Sequence, residues 1–179
     1  MPQPPDAIVA SRLSVGYDGR DVIRELDVTI PAHALTVLVG PNGSGKSTLL
    51  RALAGLARPS GGGVSLGDEP LSSFSRKALA RRVSFMPQAP LTPEGLSVAD
   101  LVRHGRYPHR GLFSRWTPAD ELACEEALAL TALGDLADRP LNTLSGGQRQ
   151  GAWIAMSLAQ QAGVMLLDEP TTYLDIAHQ

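Results

Sequence analysis

Gly40-Pro41-Asn42-Gly43-Ser44-Gly45-Lys46-Ser47-Thr48 follows the apolar run from Leu35 to Val39 and leads into Leu49-Leu50-Arg51-Ala52-Leu53-Ala54. The spacing is G-x-x-x-x-G-K-[ST], and its place between a strand-forming run and a helix-forming run is the context that gives the spacing meaning. Glycines let backbone N–H groups turn inward around phosphate oxygens. The start of a helix adds partial positive charge, Lys46 reaches toward terminal phosphates, and the Ser47 hydroxyl is a hard oxygen ligand suited to Mg²⁺. The continuous apolar run Leu35 to Val39 predicts a strand buried on both faces. Residues 47–54 predict a helix, with Gly55 as its C-terminal cap. A flexible turn carrying a surface lysine is the alternative reading of the same residues.

Upstream, short alternating runs from Ile8 to Val15 and from Val22 to Ile30 flank Gly16-Tyr17-Asp18-Gly19, which predicts an antiparallel hairpin. Downstream, Pro59-Ser60-Gly61-Gly62-Gly63 reads as a loop, Val83 to Met86 as a short strand, and Ser97 to Leu141 as a mostly helical insertion. Within it Thr117 caps a helix that has Pro118 at its first position. A further helix from Gly146 to Gln161 leads to a strand at Val164-Met165-Leu166-Leu167 and then to Asp168-Glu169. Carboxylates at the C-terminal edge of a buried strand lie where ligands bind in open α/β sheets. The two side chains point different ways, so Asp168 suits Mg²⁺ held through water and Glu169 suits an attacking water. Taken alone, such a pair is also an ordinary turn.

Composition narrows the class. The 179 residues are 43% hydrophobic and 19% charged, with a formal net charge of −2, which describes one folded unit of ordinary character and gives non-specific nucleic-acid binding no help. The single cysteine, Cys124, has no internal disulfide partner. The start MPQPPDAIVA lacks the charged head and apolar run of a signal peptide, and no apolar stretch approaches the ~20 residues that cross a bilayer. A reducing cytoplasm is therefore expected, with any membrane role coming from docking on another protein.

Leu144-Ser145-Gly146-Gly147-Gln148 is the most discriminating string. Ser145 and two glycines opening a helix make a second N-terminal surface suited to phosphate. With the phosphate loop and the acidic pair in order around it, the chain resembles the ATP-binding-cassette (ABC) ATPases. That resemblance implies an α/β P-loop NTPase fold with an N-terminal antiparallel β subdomain and a helical subdomain. It implies an ATP-binding core over 1–95 and 142–179, a helical subdomain over 96–141, and ATP and Mg²⁺ as cofactors. It also implies that Ser145, Gly146, Gly147 and Gln148 face the ATP of a second subunit in a homodimer. Tyr17 then matches the aromatic that stacks on adenine, Gln88 matches the glutamine that links Mg²⁺ to the helical subdomain, and Tyr173-Leu174-Asp175 occupies the segment crossing the dimer interface. Lys46, Gln88 and Glu169 are the residues expected to serve the hydrolysis.

Arg103-His104-Gly105-Arg106-Tyr107-Pro108-His109-Arg110-Gly111-Leu112-Phe113-Ser114-Arg115-Trp116 carries arginines, histidines and aromatics with no acid among them. Without context it reads as a nucleic-acid patch or as a solvated face. It lies, however, in the part that resembles the permease-docking subdomain of importers. Gly105-Arg106-Tyr107-Pro108-His109 and residues 171–179 resemble the ATPase subunits of ferric-siderophore uptake, with haem and cobalamin importers close by. The partners so implied are integral membrane permease subunits, a periplasmic or lipoprotein substrate-binding protein indirectly, and no nucleic acid. The expected location is peripheral, on the cytoplasmic face of the bacterial cell membrane.

Two departures qualify the resemblance. Gly151 stands where relatives usually carry an arginine, and glycine inside a helix costs about 1 kcal/mol relative to alanine. A switch histidine is expected on a further strand, on the order of 30 residues after the acidic pair, whereas the sequence runs twelve residues past Leu167 and His178 falls too early. The expected consequence is an incomplete cassette with its C-terminal strands missing, unstable or without turnover. A nucleotide-binding pseudoenzyme and a soluble non-transport cassette protein remain as alternative functions.

Overall fold

The structure is a computed structural model that describes residues 7–88, 90, 95–111 and 114–170. The chain divides into two compact units, Met1–Phe85 and Met86–Gln179.

The first unit is built on a hairpin. Strand β1 (Ile8–Tyr17) pairs antiparallel with β2 (Arg20–Ile30). Between them Asp18 (φ 51°) and Gly19 (φ 75°) form the two-residue left-handed turn whose twist matches that of paired strands. Ile8, Ala10, Leu13 and Val15 are buried, so the alternation slips by one residue between Ala10 and Leu13. The ladder register shifts at the same place, with Arg12 at φ 43°, which is a bulge. The Arg12 amide donates to Asp27 Oδ1 (2.8 Å), and the Glu25 amide to Ser14 Oγ (3.0 Å). Side chains thereby satisfy donors in the irregular stretch.

Strand β3 (Gly61–Leu66) adds to the other side of β1 and pairs with β4 (Glu69–Pro70), giving the order β2-β1-β3-β4, antiparallel throughout. The loop expected over residues 59–63 is thus corrected: its glycines belong to a strand. Gly62 sits at φ +64°, and a Cβ there would lie 2.1 Å from Arg12 O, so the bulge in β1 is accommodated by a glycine opposite it. That long-range demand is invisible in a local reading of three glycines.

Helix α1 (Lys46–Leu53) buries Leu49, Leu50, Ala52 and Leu53. It ends as the sequence implied, one residue displaced: Ala54 is the cap and Gly55 follows at φ +69°. Gly55 N donates to Ala52 O (3.0 Å) and Leu56 N to Arg51 O (2.8 Å), the pair of bonds that satisfies the last carbonyls of a helix. A short helix α2 (Arg76–Ala80) is capped by Ser75, whose hydroxyl accepts from Ala78 N. Strand β5 (Val83–Met86) follows as expected.

The strand expected at Leu35 to Val39 does not form. Leu35, Val37 and Val39 are 92%, 69% and 91% exposed, and these residues join no ladder. A continuous apolar run is buried on both faces only when neighbouring strands and helices cover it. Among the described residues no strand lies alongside, so the hydrophobic pattern stands without the sheet that would use it.

The second unit is helical. Helices α3 (Val98–His104), α4 (Pro118–Leu130) and α5 (Gly146–Ala159) enclose a core of Val98, Leu101, Val102, Cys124, Ala127, Leu133, Leu141, Ala152, Ala155 and Ala159. Burying side chains such as Leu101 and Leu141 is worth roughly 1.5–3 kcal/mol each. All three helices open with a reciprocal capping box: Ser97 with Asp100, Thr117 with Asp120, and Ser145 with Gln148. Burial pushes the Cys124 thiol up to about 11, so it stays protonated and packs as a small apolar group. Helix α3 closes on α5 through Gly105, where a Cβ would lie 2.2 Å from Met156 O. Helix α5 stops earlier than the expected Gln161, because Gln161 turns to φ 51°. Strand β6 (Val164–Leu167) follows, and the next residue, Asp168, donates its amide to Met86 O (3.0 Å). No helix among the described residues is long and apolar enough to cross a membrane.

Candidate functional site

In the first unit the phosphate loop is an exposed turn ending at the N-terminus of α1. Gly43 (φ 79°) and Gly45 (φ 93°) hold left-handed conformations, and a Cβ on Gly43 would meet nothing within 4 Å. Pro41 O accepts from Ser44 N (3.3 Å), which tightens the turn around Asn42 and Gly43. Gly45 is the N-terminal cap and has no side chain to donate or accept, and the first intrahelical bond is Leu49 N to Gly45 O (2.8 Å). Backbone N–H groups at Lys46, Ser47 and Thr48 therefore precede the helical ladder, the arrangement that favours an anion. Lys46 Nζ donates to Gly40 O (2.8 Å) and Pro41 O (2.9 Å), which draws the ammonium back over its own loop. Ser47 and Thr48 lie in the first turn of α1. Tyr17 ends β1, 48% exposed, beside the hairpin turn.

The second unit holds the remaining site residues. Asp168 is buried, 4% exposed, directly after β6. Glu169 adopts φ 50°, a left-handed conformation rare for a residue with a side chain. Such backbone costs of order 1–3 kcal/mol and concentrates at functional sites. Its Oε2 accepts from Gln88 Nε2, so the glutamine expected beside the metal is bonded to the carboxylate expected to face water. At the start of α5, Ser145 Oγ accepts from Gln148 N (3.2 Å), and Gln148 Oε1 accepts from Ser145 N (3.1 Å). That reciprocal cap orders the first turn, with Gly146 and Gly147 between. Gln150, one turn in, is buried, and its Nε2 donates to Pro170 O just beyond the acidic pair. The segment Tyr173-Leu174-Asp175 lies outside the described residues.

Among the described residues no cluster of three or more histidines, cysteines or acids could hold a metal on its own. The donor set expected for Mg²⁺, a hydroxyl at Ser47, a carboxylate at Asp168 and an amide at Gln88, is made of oxygen ligands. That suits a cation that keeps much of its water and shares its remaining coordination with phosphates.

The stretch from Arg103 to Trp116 differs from a free basic patch. Arg106 is only 5% exposed: its Nε donates to Asp120 Oδ1 (2.9 Å), and its Nη1 donates to Ala159 O (2.7 Å) and Gln161 Oε1 (2.9 Å). His109 Nε2 bonds Gln160 O (2.7 Å), with the ring nitrogen donating because a carbonyl only accepts. Arg103 meets Glu121 (3.5 Å) and Asp100 (3.8 Å), and the guanidinium groups of Arg103 (5.9 Å) and Arg110 (5.5 Å) both lie over the Trp116 ring. The acids absent from the stretch itself come from α3 and α4, which sequence distance concealed. Tyr107, stacked on His104 at 4.9 Å, remains exposed.

Comparison with known proteins agrees with this layout. Residues 23–172 match the ABC transporter family. The chain is 51% identical over 173 residues to the Bacillus subtilis (strain 168) protein named "Probable siderophore transport system ATP-binding protein YusV", covering 97% of this chain and 63% of that protein. It is 49% identical over 168 residues to the ferric enterobactin transport ATP-binding protein FepC of Escherichia coli (strain K12), covering 94% and 62%. A solved metal-chelate type ABC transporter in an inward-facing conformation superposes with a TM-score of 0.81 at 32% identity, covering 98% of this chain and 64% of that one. The chain thus spans about 63% of the length of the curated relatives it matches. The phosphate loop opening α1, the capped signature opening α5, the acidic pair after β6 and these likenesses agree: the chain belongs to the ABC transporter family.

Proposed function

We propose that this chain is the nucleotide-binding part of an ATPase subunit that energises import of ferric siderophores through a membrane permease. The observation that carries the reading is the capped signature at Ser145-Gly146-Gly147-Gln148, opening α5 in a chain whose α1 opens with a phosphate loop. Two such helix ends in one ABC family chain suit two nucleotides shared between two copies, because each N-terminus presents backbone donors to one phosphate group. Names of the relatives support the siderophore assignment.

In this reading Lys46 leaves Gly40 O and Pro41 O for the terminal phosphates, and Gly40 to Thr48 wrap the phosphate chain with Tyr17 against the adenine. Ser47, Asp168 and Gln88 would hold Mg²⁺, which supplies charge neutralisation at the phosphates. Glu169 orients and polarises the attacking water, with Gln88 fixing its carboxylate. Partners follow: a second copy in a homodimer, permease subunits contacting the helical unit, and a substrate-binding protein acting through the permease. Location is then peripheral, at the cytoplasmic face of the membrane.

A second reading, ATP binding without turnover, is favoured for the 179-residue chain by the exposure of residues 35–39. Mg-ATP hydrolysis and ATP binding measured on the chain and on Glu169→Gln separate the two. Hydrolysis that Glu169→Gln abolishes while ATP binding persists supports the first reading. Binding without hydrolysis in both proteins supports the second, and absence of binding in the unsubstituted chain refutes both.

A further inference from the structure

Arg106 stands where three helix ends meet, and its side chain bonds two of them. It follows the Gly105 cap of α3, its Nε meets Asp120 in the first turn of α4, and its Nη1 meets Ala159 O and Gln161 Oε1 at the last turn of α5. Asp120 is fixed from its other side by the Thr117 hydroxyl (2.7 Å) and amide (3.1 Å). The guanidinium therefore links an anchored carboxylate to a helix terminus whose carbonyls lack intrahelical partners. It also holds the side chain of Gln161, whose backbone at φ 51° is strained without glycine. A cation at a helix C-terminus is favoured by the macrodipole, and a planar fork of donors fits several acceptors at fixed angles. His109, three residues after Arg106, adds a bond to Gln160 O, between the two residues that Arg106 holds. Close contact of Gly105 with Met156 O brings the backbones together at this point.

The far end of α5 is the signature. With 14 residues, the helix places Ser145 about 20 Å from this clamp, at about 1.5 Å per residue. A rigid rod fixed at one end carries any angular change there to the other.

We propose that Arg106 is a positioning residue for the signature: by clamping the C-terminus of α5 to the start of α4, it sets the direction in which α5 presents Ser145 to Gln148. The proposal rests on the reading of Ser145 to Gln148 as a phosphate-facing end.

Backbone N–H residual dipolar couplings of the 179-residue chain measure the orientation of α5 against α4 directly. Arg106→Gln should turn α5 by on the order of 10°, within the range over which packed helices vary. Arg106→Lys, which keeps the charge but cannot reach three acceptors, should give a smaller turn. Ala127→Gly, in the core of α4, serves as a destabilised control that leaves the clamp in place. Unchanged α5 couplings in Arg106→Gln, or the same change in Ala127→Gly, would overturn the proposal. Should Arg106→Gln not fold, Arg106→Lys is compared with the control in the same way. An ATP titration of the unsubstituted chain tests the underlying reading separately. Failure there removes the functional meaning of the signature, while the helix turn stays measurable.

Discussion

Gly151→Ala should stabilise the helical unit. Gly151 lies inside α5, where glycine loses more backbone freedom on folding than alanine and gives up about 1 kcal/mol of helix propensity. Alanine at a packed site helps only if its methyl group fits. A Cβ built on Gly151 meets Leu133 Cδ1 at 3.4 Å and Leu133 Cγ at 4.0 Å, ordinary contact with the end of a flexible side chain. No steric term opposes the gain, and contact with buried Leu133 adds to it. For a unit the size of Met86–Gln179, about 1 kcal/mol corresponds to a rise in Tm of roughly 4–8 °C. Thermal unfolding followed by far-ultraviolet circular dichroism, with amide exchange locating the transition in α5, measures it. An unchanged or lower Tm would mean that position 151 is not helical or that its methyl group does not pack on Leu133.

The opposite result is expected one helix away. Gly105→Ala puts a methyl group 2.2 Å from Met156 O, backbone that cannot swing aside, so α3 and α5 must separate at a cost of about 2–3 kcal/mol, read from the urea midpoint. Asp120→Asn removes the carboxylate from Arg106 and should cost roughly 3 kcal/mol at neutral pH. Burial alone would raise the Asp120 carboxyl, but bonds from Thr117 and Arg106 outweigh it and hold it below the ordinary 3.8. A carboxyl depressed in the folded state stabilises the fold above its unfolded value and loses that contribution as pH falls through the folded value. The gap between Asp120→Asn and the parent chain should therefore be full above about pH 4 and shrink below the ordinary 3.8, in urea titrations repeated across pH. A gap that stayed constant into acid would contradict the ion pair.

Local signals in the sequence carried far. Asp18-Gly19 encodes its turn by backbone conformation alone, and Thr117-Pro118 and Gly55 encode helix ends by the groups that must be satisfied there. The phosphate loop and Ser145 to Gln148 were legible for the same reason, since spacing and helix starts are properties of neighbouring residues. Long-range demands were not legible. Gly62 answers a bulge at Arg12, and Arg106 finds Asp120 and Ala159 only after three helices have packed. Gln88 and Glu169, far apart in sequence, meet because both lie at ends of strands. Residues 35–39 show the converse: their pattern is that of a buried strand, but burial depends on neighbours the run itself cannot supply.

In the proposed function the loop from Gly40 to Thr48 binds the phosphates of ATP through the start of α1 and Lys46. Calorimetric titration of Mg-ATP into the 179-residue chain and into Lys46→Ala tests it most directly. Charge-assisted bonds of this kind are worth about 1.5–3 kcal/mol, so Lys46→Ala should bind roughly 10- to 150-fold more weakly. Equal affinity in the two proteins, or no binding by the unsubstituted chain, would mean that Lys46 and this loop do not hold the phosphates.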